Sequence, residues 1–198
     1  MLLTTIAVAG ILALCLGTAV ADSDVGAEWV NKYPDNPSCD DLTRRDDTAE
    51  GFYNYFTNRG WTGRFMFGND GAWEQDYKEQ ANGGTDHNYI DTVDFGLYAD
   101  HGNPWGVGFN SKVDDQFLHC TEVSWGDDYD MEWIILDACS VLDRDHKWDN
   151  WCDAFRGLHM ICSFDTLAHD YGSRGRKLGR KVFNGWTVQQ AWYYAAEH

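Results

Sequence analysis

The sequence has few basic side chains. It contains 15 Lys and Arg against 32 Asp and Glu, which gives a formal net charge of −17 at pH 7 with neutral histidines. A surface with this excess of carboxylates repels the phosphates of nucleic acids and the headgroups of anionic lipids. We therefore expect neither nucleic acid nor an anionic membrane surface to be a main partner.

Long apolar runs are missing after residue 21. The run before it, MLLTTIAVAGILALCLGTAVA, has no charged residue and ends in the small-residue pattern Ala19-Val20-Ala21. This pattern is typical of a secretory signal peptide over residues 1–21. No Lys or Arg precedes the apolar run, so an uncleaved N-terminal anchor stays open as an alternative. We expect a secreted or cell-surface protein whose mature form does not enter the membrane.

The sequence also lacks internal repeats, low-complexity segments and a linker long enough to divide it. The length after the leader suits one domain with its own hydrophobic core. Residues 22–47 are polar and predict an irregular, extended N-terminal arm pinned by Cys39, which is either structural or an inhibitory pro-segment. Residues 48–198 predict the globular domain.

Five cysteines follow the leader, an odd number. In an oxidising compartment they predict two disulfides and one unpaired thiol, whereas a reducing habitat would keep all five as thiols. They are Cys39, Cys120, Cys139, Cys152 and Cys162.

Hydrophobic spacing changes repeatedly between the helical and the strand period. The run WIILDA (133–138) is apolar on both faces, as a central parallel strand requires. Strands that alternate with helices predict an α/β protein with a mostly parallel sheet and helices on both faces. The other predicted strands are 61–70, 93–99 and 157–166, and residues 107–113 are predicted to form a hairpin arm. The predicted helices are 48–60, 71–80, 147–155 and two in 176–198 divided at Asn184-Gly185.

Two residues with reactive side chains directly follow predicted buried strands. His101 follows VDFGLYAD and Cys139 follows WIILDA. In an open α/β sheet, ligands bind beyond the carboxyl ends of the strands, so both residues should emerge at one edge. If the two strands are neighbours, the imidazole and the sulfur approach one another.

Such a pair suits nucleophilic catalysis. A free thiol has a pKa of about 8.5, so a nearby imidazole is needed to raise the reactive thiolate fraction near neutral pH. Gly102 has no side chain and lets substrate approach the backbone. Its N–H and that of Cys139 are the candidate oxyanion hole.

These residues resemble the caspase-like cysteine peptidases, the clan CD group that includes legumain, gingipain, clostripain and metacaspase. In that group one strand ends in His-Gly and a later one in Ala-Cys, as at His101-Gly102 and Ala138-Cys139. From about Thr48 onward the chain also resembles a family of secreted or surface proteins from archaea and bacteria. The resemblance implies a caspase-like three-layer sandwich, a peptide or protein substrate, and no metal or other cofactor.

The motif around the cysteine departs from the caspase pattern. Caspases read Q-A-C-[RQG]-G, whereas this chain has Asp137 before Ala138-Cys139, and Ser140 and Val141 after them. An acid therefore replaces the glutamine, and the final glycine is missing. Only Cys139 as nucleophile, His101 as base and Gly102 match the residue types of the caspase-like pattern.

Other readings of the same residues remain open. Cys139 is alternatively a buried core residue or half of a disulfide. A metal hydrolase would use Asp100, His101, Asp137 and one further ligand, although no HExxH or paired CxxC spacing is present. A non-catalytic binding or structural domain on a caspase-like scaffold is the main alternative.

Aromatic and charged segments add weaker expectations. Trp105 and Trp125 lie in predicted loops near the proposed site and are candidates for a substrate wall. The acidic stretches at 126–130 and 143–153 lack the spacing of an EF-hand and predict solvated loops. The basic segment at 173–181 predicts a helix face that offsets neighbouring acids, with a patch for an acidic partner as the alternative.

Overall fold

The structure is a computed structural model that describes residues 23–129 and 131–198. The signal peptide expected at 1–21 lies outside the described residues. Among the helices of the described segments, none is both long and apolar enough to span a membrane.

A five-stranded sheet, parallel throughout, forms the centre of the molecule. The strands of the described chain are β1 (Asp24–Trp29), β2 (Thr62–Gly68), β3 (Phe95–Ala99), β4 (Gly102–Asn103), β5 (Gly106–Gly108), β6 (Phe117–His119), β7 (Trp133–Asp137) and β8 (Met160–Cys162). The order of the central sheet is β2-β1-β3-β7-β8, and a separate antiparallel sheet has the order β4-β5-β6. The predicted α/β class with a mostly parallel sheet is confirmed.

The polar N-terminal segment is not the irregular arm that its composition predicts. Its residues 24–29 form β1, which lies between β2 and β3 inside the sheet. Gly26 allows the Phe65 ring of β2 to pack directly on β1, because a Cβ at Gly26 would lie 2.3 Å from that ring. Because its residues include Gly, Ala and Glu, β1 contains no apolar run from which a strand could be predicted.

Side chains of the sheet alternate between two cores. The helices of the described chain are α1 (Arg45–Thr57), α2 (Lys147–Trp151), α3 (Arg174–Val182) and α4 (Val188–Glu197). One core packs β3 residues Phe95 and Leu97 against Phe52 of α1, Leu178 of α3 and Trp192 of α4. All three long helices thus cover one face of the sheet.

Within the described residues, the opposite face of the sheet is not covered by long helices, although the sequence predicts helices on both faces. Tyr98 of β3 and Leu136 of β7 pack there against Tyr77, Phe109 and Trp151. These residues come from short 3-10 turns, from the end of the small sheet and from the short helix α2. The segment 71–80, which predicts a helix, contributes only 3-10 turns at Glu74–Asp76 and Gln80–Asn82.

The last two helices follow the sequence signals closely. α3 ends before Gly185, which adopts φ +84°, a conformation that favours glycine. α4 begins with a capping box in which the Thr187 hydroxyl accepts the Gln190 N–H, and the Gln190 side chain accepts the Thr187 N–H. The predicted division at Asn184-Gly185 is confirmed.

Candidate functional site

The strands that lead to His101 and Cys139 are neighbours in register. Ala99 of β3 pairs with Asp137 of β7, the last pair of that ladder. His101 and Cys139 each lie two positions beyond this pair, and adjacent strands are about 4.8 Å apart. Both residues therefore emerge at the same carboxyl edge, in the centre of the sheet.

Gly102 lies directly against the segment that carries the cysteine. A Cβ at Gly102 would lie 2.8 Å from Ala138 Cβ and 3.1 Å from the carbonyl oxygen of Cys139. Any side chain here would push the two strand ends apart. Ser140, the next residue after the cysteine, has φ 55°, so the chain turns sharply through a strained conformation as it leaves Cys139.

Cys139 is a half-buried free thiol. Its Sγ accepts the Ala168 N–H at 3.3 Å and lies 3.7 Å from the Ala168 carbonyl oxygen. The N–H of Ser140 is bound to the Thr166 carbonyl. Within the described residues, the N–H of Cys139 itself has no hydrogen-bond acceptor.

The His101 ring is held by the segment before α1. Its Nε2 lies 2.8 Å from the carbonyl oxygen of Asp40, and the Tyr33 ring centroid is 5.3 Å from the imidazole centroid. Because a carbonyl only accepts hydrogen bonds, Nε2 carries a hydrogen, and in the neutral form of the ring the lone pair is then on Nδ1. The described contacts include no hydrogen bond between this imidazole and the Cys139 thiol.

A second cysteine lies near His101, and sequence reasoning missed it. A Cβ at Gly108 would be 3.9 Å from both Cys39 Sγ and His101 Cβ. Burial and the charge of Asp40 raise the pKa of the Cys39 thiol, so this sulfur is held as the less nucleophilic thiol form. No sequence pattern links residues so far apart in the chain.

Asp100 and Asp137, the other carboxylates at this edge, are each held by separate partners. Asp100 is fully buried, accepts the Tyr98 hydroxyl at 2.7 Å, and also accepts the His101 N–H. Burial raises the pKa of Asp100 well above its usual range. Asp137 binds two buried arginines instead, so the metal site that the alternative of a metal hydrolase would build from Asp100, His101 and Asp137 does not assemble among the described residues.

Those arginines and Asp137 form a buried ion cluster, and Asp137 lies two positions before Cys139 in the chain. Arg45 Nη1 and Arg174 Nη1 each lie 2.9 Å from Asp137 Oδ1. Arg45 Nε also lies 3.5 Å from Asp170. Arg174 is buried, and its guanidinium pairs with Asp137 of the core strand β7. This pair agrees with the prediction that the basic segment at 173–181 offsets neighbouring acids.

The two tryptophans proposed as a substrate wall differ. Trp105 is 49% exposed. Trp125 is 0% exposed, donates its Nε1–H to the Tyr77 carbonyl at 2.9 Å and stacks on Trp151. The expectation for Trp125 is wrong, because its ring fills the core and cannot contact a substrate.

All five cysteines of the described residues are free thiols, so the structure contains none of the disulfides expected for an oxidising compartment and agrees with the reduced alternative. Burial raises the pKa of Cys162 to about 12 and raises that of Cys120.

Two open cavities, each of about 420 Å³, lie elsewhere. One is between β8 and α4 and the other between the N-terminal ends of α1 and α3, and neither is lined by His101 or Cys139.

The fold and the site define a parallel α/β protein that places a thiol and an imidazole beyond two adjacent central strands. The chain belongs to the family described as Domain of unknown function (DUF6345), whose model matches residues 27–198. No curated protein matches the chain.

Proposed function

We propose that this protein is a cysteine-type amide hydrolase, a peptidase of caspase-like architecture that acts on peptide or protein substrates outside the cell or at its surface. The observation that carries the proposal is the register of the β3–β7 ladder. Because Ala99 pairs with Asp137, His101 and Cys139 extend by the same number of residues from adjacent strands. The close approach of Gly102 to Cys139 supports it as well.

The reaction follows from the groups at this edge. Cys139 transfers its proton to Nδ1 of His101, and the thiolate attacks the substrate carbonyl carbon. The N–H groups of Cys139 and Gly102 bind the resulting oxyanion. His101 then gives its proton to the leaving amine as the C–N bond breaks, which leaves a thioester. Water, deprotonated by His101, attacks the thioester and releases the acid and the free thiol.

The Asp40 carbonyl takes the orienting role in this scheme. By accepting the Nε2–H at 2.8 Å it fixes the ring tautomer that leaves Nδ1 free to accept a proton. A third group that orients the base is a general feature of nucleophile–base pairs. In this arrangement the segment before α1 completes the site.

The test is hydrolysis of a panel of fluorogenic peptide amides that vary the residue before the scissile bond. We expect Cys139→Ser to abolish turnover and His101→Ala to lower it by about 10²–10⁴-fold, the usual contribution of a general acid–base. The matched control is Cys39→Ser, which removes the other thiol near His101 and should retain activity. Wild-type turnover by Cys139→Ser, or loss only in Cys39→Ser, would overturn the assignment.

A non-catalytic binding or structural domain is the second candidate. The separate contacts of the two side chains favour it, because Cys139 bonds to Ala168 and His101 to Asp40. The rate of Cys139 alkylation by iodoacetamide distinguishes the two candidates. A rate that falls on His101→Ala substitution supports the hydrolase, and a rate that does not change supports the binding domain.

A further inference from the structure

Three side chains meet at the opposite, amino edge of the sheet. Asp86 and His87 lie in the 3-10 turn Asp86–Asn88, which precedes β3, and Asp128 lies in the loop that precedes β7. Each offers one ligand atom, and these atoms all lie within 4.8 Å of one another. Metal–ligand bonds of about 2.0–2.2 Å place two ligands up to about 4 Å apart, so a small movement of the side chains would bring the three donors around one ion.

Polar atoms in this cluster are buried without partners. Asp86 is 0% exposed; its Oδ1 accepts the His87 N–H at 2.9 Å, whereas its Oδ2 has no hydrogen-bond partner. His87 Nδ1 and Glu79 Oε2 are likewise buried and unpartnered. A buried polar atom without a partner is costly, and several in one place indicate a missing ligand.

The negative charge of the cluster is not balanced by protein cations. Among the described residues, neither Lys nor Arg forms an ion pair with Asp86, Asp91 or Asp128. Asp86 and Asp91 are both fully buried, and the carboxylates of Asp91 and Glu79 repel that of Asp86. A cation bound among these groups would offset this repulsion.

Neighbouring residues fix the donors. Fully buried Asp91 accepts the Gly126 N–H at 3.1 Å and so holds the loop that carries Asp128. Asn88 Nδ2 lies 2.9 Å from His87 Nε2 and donates to it as placed. Metal binding through Nδ1 therefore requires the Asn88 amide to turn by about 180°, so that its oxygen accepts Nε2–H and fixes the ring, as outer partners of metal-binding histidines do.

We propose that Asp86, His87 and Asp128 bind one divalent transition-metal ion, which joins the turn before β3 to the loop before β7. Mixed carboxylate and imidazole donors favour Zn²⁺ or Mn²⁺ over Ca²⁺, which prefers oxygen alone. The ion lies at the edge away from His101 and Cys139, so its role is to stabilise the two central strands. The solvated loop expected at 126–130 thus contributes a ligand.

The experiment measures metal binding without any activity assay. The full chain, free of affinity tags and stripped with a chelator, is titrated with Zn²⁺, Mn²⁺ or Ca²⁺ and followed by thermal unfolding and calorimetry. We expect one Zn²⁺ per chain and a midpoint rise of roughly 5–10 °C at a free concentration of about 100 Kd. Asp128→Asn, at an exposed position that leaves the core intact, and His87→Ala should each weaken binding by at least about 10–100-fold.

His146→Ala is the matched control, because His146 also lies 2.8 Å from an aspartate, Asp143, but outside the cluster. It should bind Zn²⁺ as the wild type does. An unchanged midpoint with all three ions, or Zn²⁺ binding that survives both Asp128→Asn and His87→Ala, overturns the site. Stabilisation by Ca²⁺ alone that persists in His87→Ala overturns the transition-metal assignment.

Discussion

The carbonyl oxygen of Asp40 accepts a hydrogen bond from Nε2 of His101, across 61 positions of sequence. The turn that presents this carbonyl is held by Asn36, whose Nδ2 donates to the Phe109 carbonyl at 3.2 Å and whose Oδ1 accepts the Ser38 N–H at 3.3 Å. The position of the imidazole therefore depends on a short turn in the segment between β1 and α1.

Under the proposed hydrolase function, Asn36→Ala should lower kcat with little change in KM, because it loosens the turn that orients His101. We expect a loss of about 10-fold or more, since a misplacement of about 1 Å can cost on the order of 100-fold. Steady-state kinetics check this, with Asn54→Ala on the exposed side of α1 as control. A faster Asn36→Ala enzyme would show that the segment inhibits the site.

Gly102→Ala tests the close approach of the two strand ends. The added methyl group would lie 2.8 Å from both Ala138 Cβ and Val141 Cγ2, so the strand ends must separate. We expect a destabilisation of about 1–3 kcal/mol, the usual cost of overpacking. Urea unfolding measures it, and Gly71→Ala is the control because the nearest atom to its Cβ is 4.0 Å away. Equal stability of the two variants would contradict the packing at Gly102.

Asp137→Ala should be among the most destabilising single changes at this edge. It leaves the buried guanidinium groups of Arg45 and Arg174 without their shared carboxylate, which costs about 3–5 kcal/mol for a buried ion pair. Asp165→Ala, which breaks an exposed pair with Arg144, should cost less than about 1 kcal/mol. Comparable losses in both variants, by chemical unfolding, would refute the role of the buried cluster.

Stability should fall as pH rises from about 4 to about 6, in part through Asp76. Burial raises the pKa of this carboxyl from 3.8 to about 6, and it lies next to buried Glu28, whose pKa is also raised. Between these values the unfolded chain has lost a proton that the folded chain still holds, so a rise in pH favours unfolding.

Asp76→Asn should reduce this slope and make the protein more stable than the wild type at pH 7, by at most about 3 kcal/mol. Urea unfolding at pH 4, 5, 6 and 7 measures the effect. Asp35→Asn, at an exposed carboxylate paired with Lys112, should leave the slope unchanged. An Asp76→Asn slope equal to that of the wild type would show that this carboxyl ionises normally in the folded chain.

Local patterns correctly predicted several elements that depend on neighbouring residues, although not the segment 71–80, which predicts a helix and forms 3-10 turns. The apolar run of β7, the amphipathic α1 and the glycine break before α4 could all be read directly. β1 could not, because Gly26, Ala27 and Glu28 have little strand character and are buried only by contact with β2 and β3. Trp125 was misjudged for the same reason, since its burial depends on Tyr77 and Trp151.

By itself the sequence determined the alternation of strands and helices and the placement of His101 and Cys139 immediately after two strands, because these depend on local spacing and backbone preference. Only the tertiary structure decided that β3 and β7 are neighbours and that Asp40 orients the imidazole. It also decided that Arg45 and Arg174 neutralise Asp137, and that Asp86, His87 and Asp128 converge. Contacts of this kind join distant parts of the chain, and their free energy depends on burial and on the distance between charges, neither of which a local pattern contains.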